Sequence, residues 1–211
     1  HLLDIINDVL DMSKIEAGKV EIHERDVDIE DLFNSVERIM HDRINHSELT
    51  LDVSIHGKIP ALFADRRWLR QMLMNLVSNS IKFSPQGNTI KMEARMIDDC
   101  SLRITVQDFG TGIEETKIKT VLEPFGQAGE PITNTGQGTG LGLPLAKAMA
   151  EMHNGTFHLE SKLGEGTTIH IDFPKSRLLN ADCNTNDQIK NLIAEKASTK
   201  DFKLNPEETD A

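Results

Sequence analysis

The chain has 211 residues, a formal charge of −11, eight histidines and two cysteines, a length that holds one domain of ordinary size plus further elements. No basic patch stands out, which excludes nucleic acid and an anionic membrane surface as main partners. A single tryptophan and no tyrosine leave little for stacking single strands. Cys100 and Cys183 lack the spacing of metal ligands and read as reduced thiols of a cytoplasmic chain. No apolar run approaches the length of a membrane span and no signal peptide is expected, so no membrane contact by this chain is predicted. Membrane attachment of a longer parent protein is left open.

In chain order, Leu2, Ile5, Val9 and Met12 step by three and four, a helical-bundle seam that Leu3, Ile6 and Leu10 widen. The helix has no N-terminal cap and ends near Ala17-Gly18, so it reads as part of something longer. Val20, Ile22, Val27 and Ile29 suggest a short extended stretch. Asp28 caps a helix with Ile29, Leu32, Phe33, Val36, Ile39, Met40 and Ile44 on one face. Leu49, Leu51, Val53 and Ile55 alternate as a strand. Asp65 caps a second long helix, through about Phe83, with Leu69, Met72, Leu73, Leu76 and Val77 inward. Strands follow over Ile90–Met96 and over Leu102, Ile104 and Val106. A short helix is expected over Glu115 to Leu122. Residues 126–139 carry no periodic pattern, and such a long loop in a compact domain is functional or mobile. A helix with Leu141, Leu145, Ala146, Met149 and Ala150 on one face ends at His153-Asn154-Gly155. Phe157 and Leu159, then Thr167, Ile169, Ile171 and Phe173, mark two last strands around a Leu163–Gly166 turn. Beyond Pro174 the packing pattern fades. Gln188 to Ala197 fits a short helix, and the chain from Ser198 reads as disordered.

Three stretches carry candidate chemistry. Asn75, Asn79 and Lys82 share one helical face. An amide oxygen is a hard ligand suited to Mg²⁺, and a lysine suits phosphates; the stripe fits a solvated helix face equally well. Asp108 at a strand end can accept from the amino group of adenine, with Gly110 and Gly112 letting a flat base lie on bare backbone; an ordinary Asp-Gly turn is the alternative. Gly136-Gln137-Gly138-Thr139-Gly140-Leu141-Gly142-Leu143 runs from a glycine-rich loop into a helix start, where free N–H groups favour phosphate. It is neither a P-loop nor a dinucleotide fingerprint, and a flexible hinge remains open.

Together these stretches resemble the sensor histidine kinases. Asn75-Leu76-Val77-Ser78-Asn79-Ser80-Ile81-Lys82-Phe83 is similar to their N box, and Asp108-Phe109-Gly110-Thr111-Gly112, followed by Ile113, to their first glycine box. Glu123-Pro124-Phe125-Gly126-Gln127 resembles the phenylalanine box. Gly138-Thr139-Gly140-Leu141-Gly142-Leu143 resembles the second glycine box, and Gly164-Glu165-Gly166-Thr167 the final turn. Asp11-Met12-Ser13-Lys14-Ile15-Glu16-Ala17-Gly18-Lys19 looks like the end of the dimerisation and phosphotransfer hairpin.

The resemblance covers roughly residues 1–175 and implies an α+β Bergerat fold. That fold is a two-layer sandwich with a mixed sheet of about five strands and helices on one face, here preceded by a bundle-type helix. It implies a hairpin end over 1–19, an ATP-binding catalytic domain over 20–177 and a tail over 178–211. It implies ATP and Mg²⁺, with Asn79 as metal ligand, Asp108 as adenine reader, and 126–139 as the ATP lid. Asn75 and Lys82 fall at the catalytic positions. Phe83, Gly110, Gly112, Ile113, Phe125, Gly138, Thr139, Gly140, Leu141, Gly142, Leu143 and Thr167 line the nucleotide. The implied partners are the chain's own hairpin, in a homodimer of the full-length protein, and a response regulator.

Two departures stand out. None of the eight histidines has the family's acceptor context; His46-Ser47-Glu48-Leu49 is not it. Gln127 stands where some members carry an arginine. Related gyrase- and chaperone-type ATPases place a glutamate where this chain has Asn75, and an amide cannot take a proton from water. That favours γ-phosphoryl transfer over an ATP-driven conformational machine; a non-catalytic signalling scaffold is the remaining rival.

Overall fold

In a computed structural model, which describes residues 2–97, 100–127 and 139–179, the helix caps stand where the sequence puts them. After β1 (Arg25–Val27), Asp28 opens α2 (Ile29–His46) by accepting from Asp31 N at 3.0 Å. Asp65 opens α3 (Arg66–Phe83) by accepting from Arg67 N at 2.9 Å. Each cap satisfies one N–H that the first helical turn leaves without a partner. The first helix, α1 (Leu2–Glu16), closes at Gly18, whose φ of +62° only glycine adopts freely.

Five strands form the main sheet: β2 (Thr50–His56), β4 (Thr89–Met96), β5 (Leu102–Asp108), β6 (Thr156–Lys162) and β7 (Gly166–Phe173). Their order is β2-β4-β5-β7-β6, with β2 parallel to β4 and every other pair antiparallel. This is the mixed sheet expected from the alternating patterns. A short β3 (Leu62–Ala64) pairs with β1 and was not foreseen. The short helix α4 (Ile118–Val121) follows a 3-10 turn at Glu115–Lys117, and α5 (Gly142–Met152) follows the glycine stretch.

Alternation decides which face is buried. Ile90, Met92 and Ala94 of β4, Leu102, Ile104 and Val106 of β5, and Ile169, Ile171 and Phe173 of β7 point into the core. They meet Leu32, Phe33, Val36 and Met40 of α2, Leu69, Met72, Leu73 and Leu76 of α3, and Leu145, Ala146 and Met149 of α5. The other face is polar: Arg103 forks onto Asp172 with two 2.7 Å bonds, and Thr105 meets His170 at 2.8 Å, both across the β5–β7 ladder. On α1, Leu3, Ile6, Val9 and Leu10 stay exposed while Ile5, Met12 and Ile15 are half-buried.

Two residues beyond the sheet tie its ends. Leu178 is buried and bridges Leu62, so packing runs to the last described residues. His153, fully buried at the end of α5, accepts from Asp65 N at 3.1 Å and contacts Met149 O at 2.7 Å. It thereby pins the end of α5 to the start of α3. Cys100, in the β4–β5 turn, is disulfide-bonded, which corrects the expectation of a reduced thiol. Linear spacing carries no information about which sulphurs folding brings together. Cys183, the expected helix over 188–197 and the tail from 198 lie outside the described residues. Among the described residues no helix is long and apolar enough to cross a membrane.

Candidate functional site

The site grows from the C-terminal end of β5. Asp108 is buried, at 8% exposure. Its Oδ1 accepts from Gly110 N at 3.0 Å and from Thr167 N at 3.2 Å, and its Oδ2 from Ser80 Oγ at 3.2 Å. Burial pushes this carboxyl above the ordinary carboxylate range, and the three hydrogen bonds only partly offset it. A carboxylate has about four acceptor positions. Three are taken, so one is left for a ligand donor.

Bare backbone lines this end of the sheet. A Cβ on Gly110 would lie 2.4 Å from Phe83 O, and one on Gly112 would lie 2.0 Å from Lys162 O, at a φ of +65°. Gly166, with a φ of +106°, passes so close to Asp108 that a Cβ would sit 2.1 Å from its carbonyl oxygen. Thr111 N donates to Phe83 O at 3.1 Å, binding the loop after β5 to the end of α3. Ile113 N donates to Ser161 Oγ at 2.8 Å, and Ser161 Oγ also meets Thr167 Oγ1 at 2.9 Å. The structure therefore gathers Phe83, Asp108, Gly110, Gly112, Ile113 and Thr167 around one point, although they span three elements.

The stripe on α3 faces the start of α5. A Cβ on Gly142 would come 3.3 Å from Asn79 Nδ2, so the first residue of α5 sits against the Asn79 amide. That amide has no hydrogen-bond partner among the described residues. One turn back, Asn75 Oδ1 accepts from Gln71 Nε2 at 3.4 Å, while Asn75 Nδ2 is buried with no partner among the described residues. Lys82 is exposed; its Nζ stands 4.9 Å from the Phe83 ring centroid, and partial burial lowers its pKa. The free N–H end of α5 adds partial positive charge beside the Asn79 oxygen.

The loop preceding α5 is anchored at both described ends. Phe125, exposed and at a φ of +64°, donates its N–H to Gly140 O at 3.1 Å. Leu141 N donates to Thr139 Oγ1 at 3.2 Å, and the Leu141 side chain is fully buried. Gly138, and with it residues 128–138 of the expected lid, lies outside the described residues.

Sequence reasoning missed Ser80 and Ser161. Ser80 is next to Asn79, one residue off the polar stripe, and its turn toward Asp108 follows from α3 lying across the end of β5. The residues present suit a nucleotide with its metal. Glycines clear a bed for a flat base, a buried carboxylate keeps one acceptor position, and the Asn79 amide, without a partner among the described residues, meets a helix start. A single protein oxygen is a normal share for Mg²⁺, which takes its other ligands from phosphates and water.

A family model described as histidine kinase-, DNA gyrase B-, and HSP90-like ATPase matches residues 64–177. The chain is 40% identical over 178 residues to histidine protein kinase DivJ of Caulobacter vibrioides, covering 82% of this chain and 29% of that protein. It is 38% identical over 177 residues to the non-motile and phage-resistance protein of the same organism, covering 82% of this chain and 21% of that one. Among solved structures, full-length ShkA in complex with AMPPNP superposes with a TM-score of 0.72 at 29% identity, over 82% of this chain and 36% of that chain. The chain thus spans less than a third of each of the two curated relatives.

Proposed function

This chain belongs to the family of histidine kinase-, DNA gyrase B-, and HSP90-like ATPases, and from that premise we propose that residues 20–177 bind ATP with Mg²⁺ and present its γ-phosphoryl group to a histidine outside this sequence. Domains of this family bind ATP; the assignment of particular residues is our reading. Asp108 takes the amino group of adenine with its spare acceptor position. Gly110, Gly112 and Ile113 lie along the base, with Phe83, Phe125 and Thr167 around it. Asn79 Oδ1 holds Mg²⁺, which neutralises phosphate charge when bound. Lys82 and the α5 start, from Thr139 through Leu143 with Gly138 before it, meet the phosphates. In-line phosphoryl transfer asks for this positioning and charge neutralisation more than for covalent chemistry by the protein.

Residues 1–19 then continue into the hairpin that carries the acceptor, in a homodimer, and a response regulator receives the phosphoryl group. The exposed Leu3, Ile6, Val9 and Leu10 stripe on α1 supports that pairing.

The observation that carries transfer rather than hydrolysis is Asn75. Its Oδ1 accepts from Gln71 and its buried Nδ2 is a donor without a partner among the described residues. Neither atom can take a proton from an attacking water at neutral pH. Steady-state phosphate release from Mg-ATP tests this. Slow release that stays low at saturating ATP is expected; sustained fast turnover would assign the domain to the conformational ATPases instead.

A further inference from the structure

In the strand register Thr167 lies between two partners, Asp108 on β5 and Ser161 on β6. Residues directly opposite in neighbouring strands point to the same face, with Cβ atoms about 4.5–5.5 Å apart. Asp108, Thr167 and Ser161 therefore form one polar row. It lies on the face that the helices cover, since Asp108 accepts from Ser80 of α3.

The protons of this row can be counted. Ser161 Oγ donates to Gly166 O at 2.8 Å, and a carbonyl oxygen can only accept. A hydroxyl has one proton and two acceptor positions. Ser161 accepts from Ile113 N at 2.8 Å, which leaves one lone pair for Thr167 Oγ1 at 2.9 Å. Thr167 must therefore donate in that last bond. With its proton turned to Ser161, the Thr167 hydroxyl offers only lone pairs to anything else. The Thr167 N–H is taken as well, by Asp108 Oδ1 at 3.2 Å. Side by side, Asp108 and Thr167 present acceptors to the cleft and no donor.

We propose that Ser161 is a specificity-determining residue: by fixing the direction of the Thr167 proton, it makes this wall favour a purine with an exocyclic amino group over one with an oxo group at the same position. The inference rests on the reading of the cleft as a nucleotide site. An amino group brings two N–H donors to the wall, whereas an oxo group sets a further acceptor against acceptors. A site built to pair a donor discriminates against the analogue that lacks it. All of Ser161's own hydrogen-bonding positions are occupied, so it acts through Thr167 as a positioning residue.

The test compares ADP with inosine diphosphate by competition calorimetry, without Mg²⁺, and reads the ratio of their Kd values. The parent chain should prefer ADP. Ser161→Ala frees the Thr167 hydroxyl to donate to the oxo group, and the preference should fall about 2- to 12-fold, the worth of one neutral hydrogen bond. Loss of the bonds to Ile113 and Gly166 weakens both nucleotides alike and leaves the ratio as it was. Ser161→Thr keeps the hydroxyl and should keep the parent preference. Thr167→Val removes the acceptor itself and should lower the preference too, and adding Ser161→Ala to it should change the ratio no further. The proposal is overturned if Ser161→Ala weakens both nucleotides in equal proportion, if Ser161→Thr behaves like Ser161→Ala, if Thr167→Val keeps the parent preference, or if Ser161→Ala still shifts the ratio in the Thr167→Val background. ADP binding with an unmoved ratio overturns this inference alone. A parent chain that binds neither nucleotide overturns the nucleotide reading, and the inference with it.

Discussion

Replacing Asp108 by Asn separates what this carboxylate does for the fold from what it does for a ligand. Asparagine keeps an oxygen for the Gly110 and Thr167 N–H groups, which both bond Oδ1. Its Nδ2 takes the place of Oδ2, and the Ser80 hydroxyl can rotate to accept from it. The internal bonds therefore survive. The spare acceptor position does not, because the new NH₂ points a donor where a donor must be received. One hydrogen bond to a charged acceptor contributes about 1.5–3 kcal/mol, which is about 10- to 150-fold in Kd. Calorimetric titration with ADP should show that loss. The fold should respond in the opposite direction. Burial raises the Asp108 pKa above the ordinary aspartate value of 3.8, so above that pH the folded state carries a penalty that the unfolded state lacks. The variant should therefore be at least as stable as the parent chain at pH 7, and the difference should fade as the pH falls below about 4. An unchanged ADP affinity, or a clear loss of stability at pH 7, would refute this account of the carboxylate.

Two further expectations rest on the same geometry. Asn79→Ala should remove the metal ligand, so that Mg²⁺ no longer strengthens ATP binding while adenosine binds as before; a titration with and without Mg²⁺ decides it, and a surviving Mg²⁺ dependence would refute the metal assignment. His153 is buried and holds the Asp65 N–H, and burial depresses its pKa below 6.5. Because the unfolded imidazole takes up a proton first, its contribution is full above pH 6.5 and is lost as pH falls, with His170 shifted in the same direction. Urea unfolding from pH 8 to pH 5 should show that slope, and His153→Ala should lower stability by about 1–3 kcal/mol or more through the orphaned N–H and the space left behind, with a shallower acid slope. An undiminished slope in the variant would remove His153 from the explanation.

Where periodicity and caps are strong, the fold was legible in the sequence. Asp28 and Asp65 announced α2 and α3, and alternation announced all five strands of the main sheet. Leu62-Phe63-Ala64 is too short to show a period, and β3 exists only because β1 offers it a ladder. The site was legible as residue types and became a site through long-range contacts. Ser80 lies 28 residues from Asp108, and the Thr167 N–H lies 59 away. Neither bond has a local signature. His153 read only as a helix stop, since nothing near it in the chain says that the start of α3 would fold onto it. The bond at Cys100 was hidden for the same reason.

The central claim is that this chain prepares a phosphoryl group for a histidine it does not itself carry. Radiolabelled ATP with Mg²⁺ tests it most directly, first with the chain alone and then with a separately made helical hairpin of the parent protein that carries the acceptor histidine. Acid-labile label should appear on the hairpin and not on the chain. The transfer should be slow, because separation of the two parts removes the effective concentration a covalent tether provides. Label on the chain alone would make one of its own eight histidines the acceptor. No label on the hairpin, with ATP consumed to free phosphate, would make the domain a hydrolase.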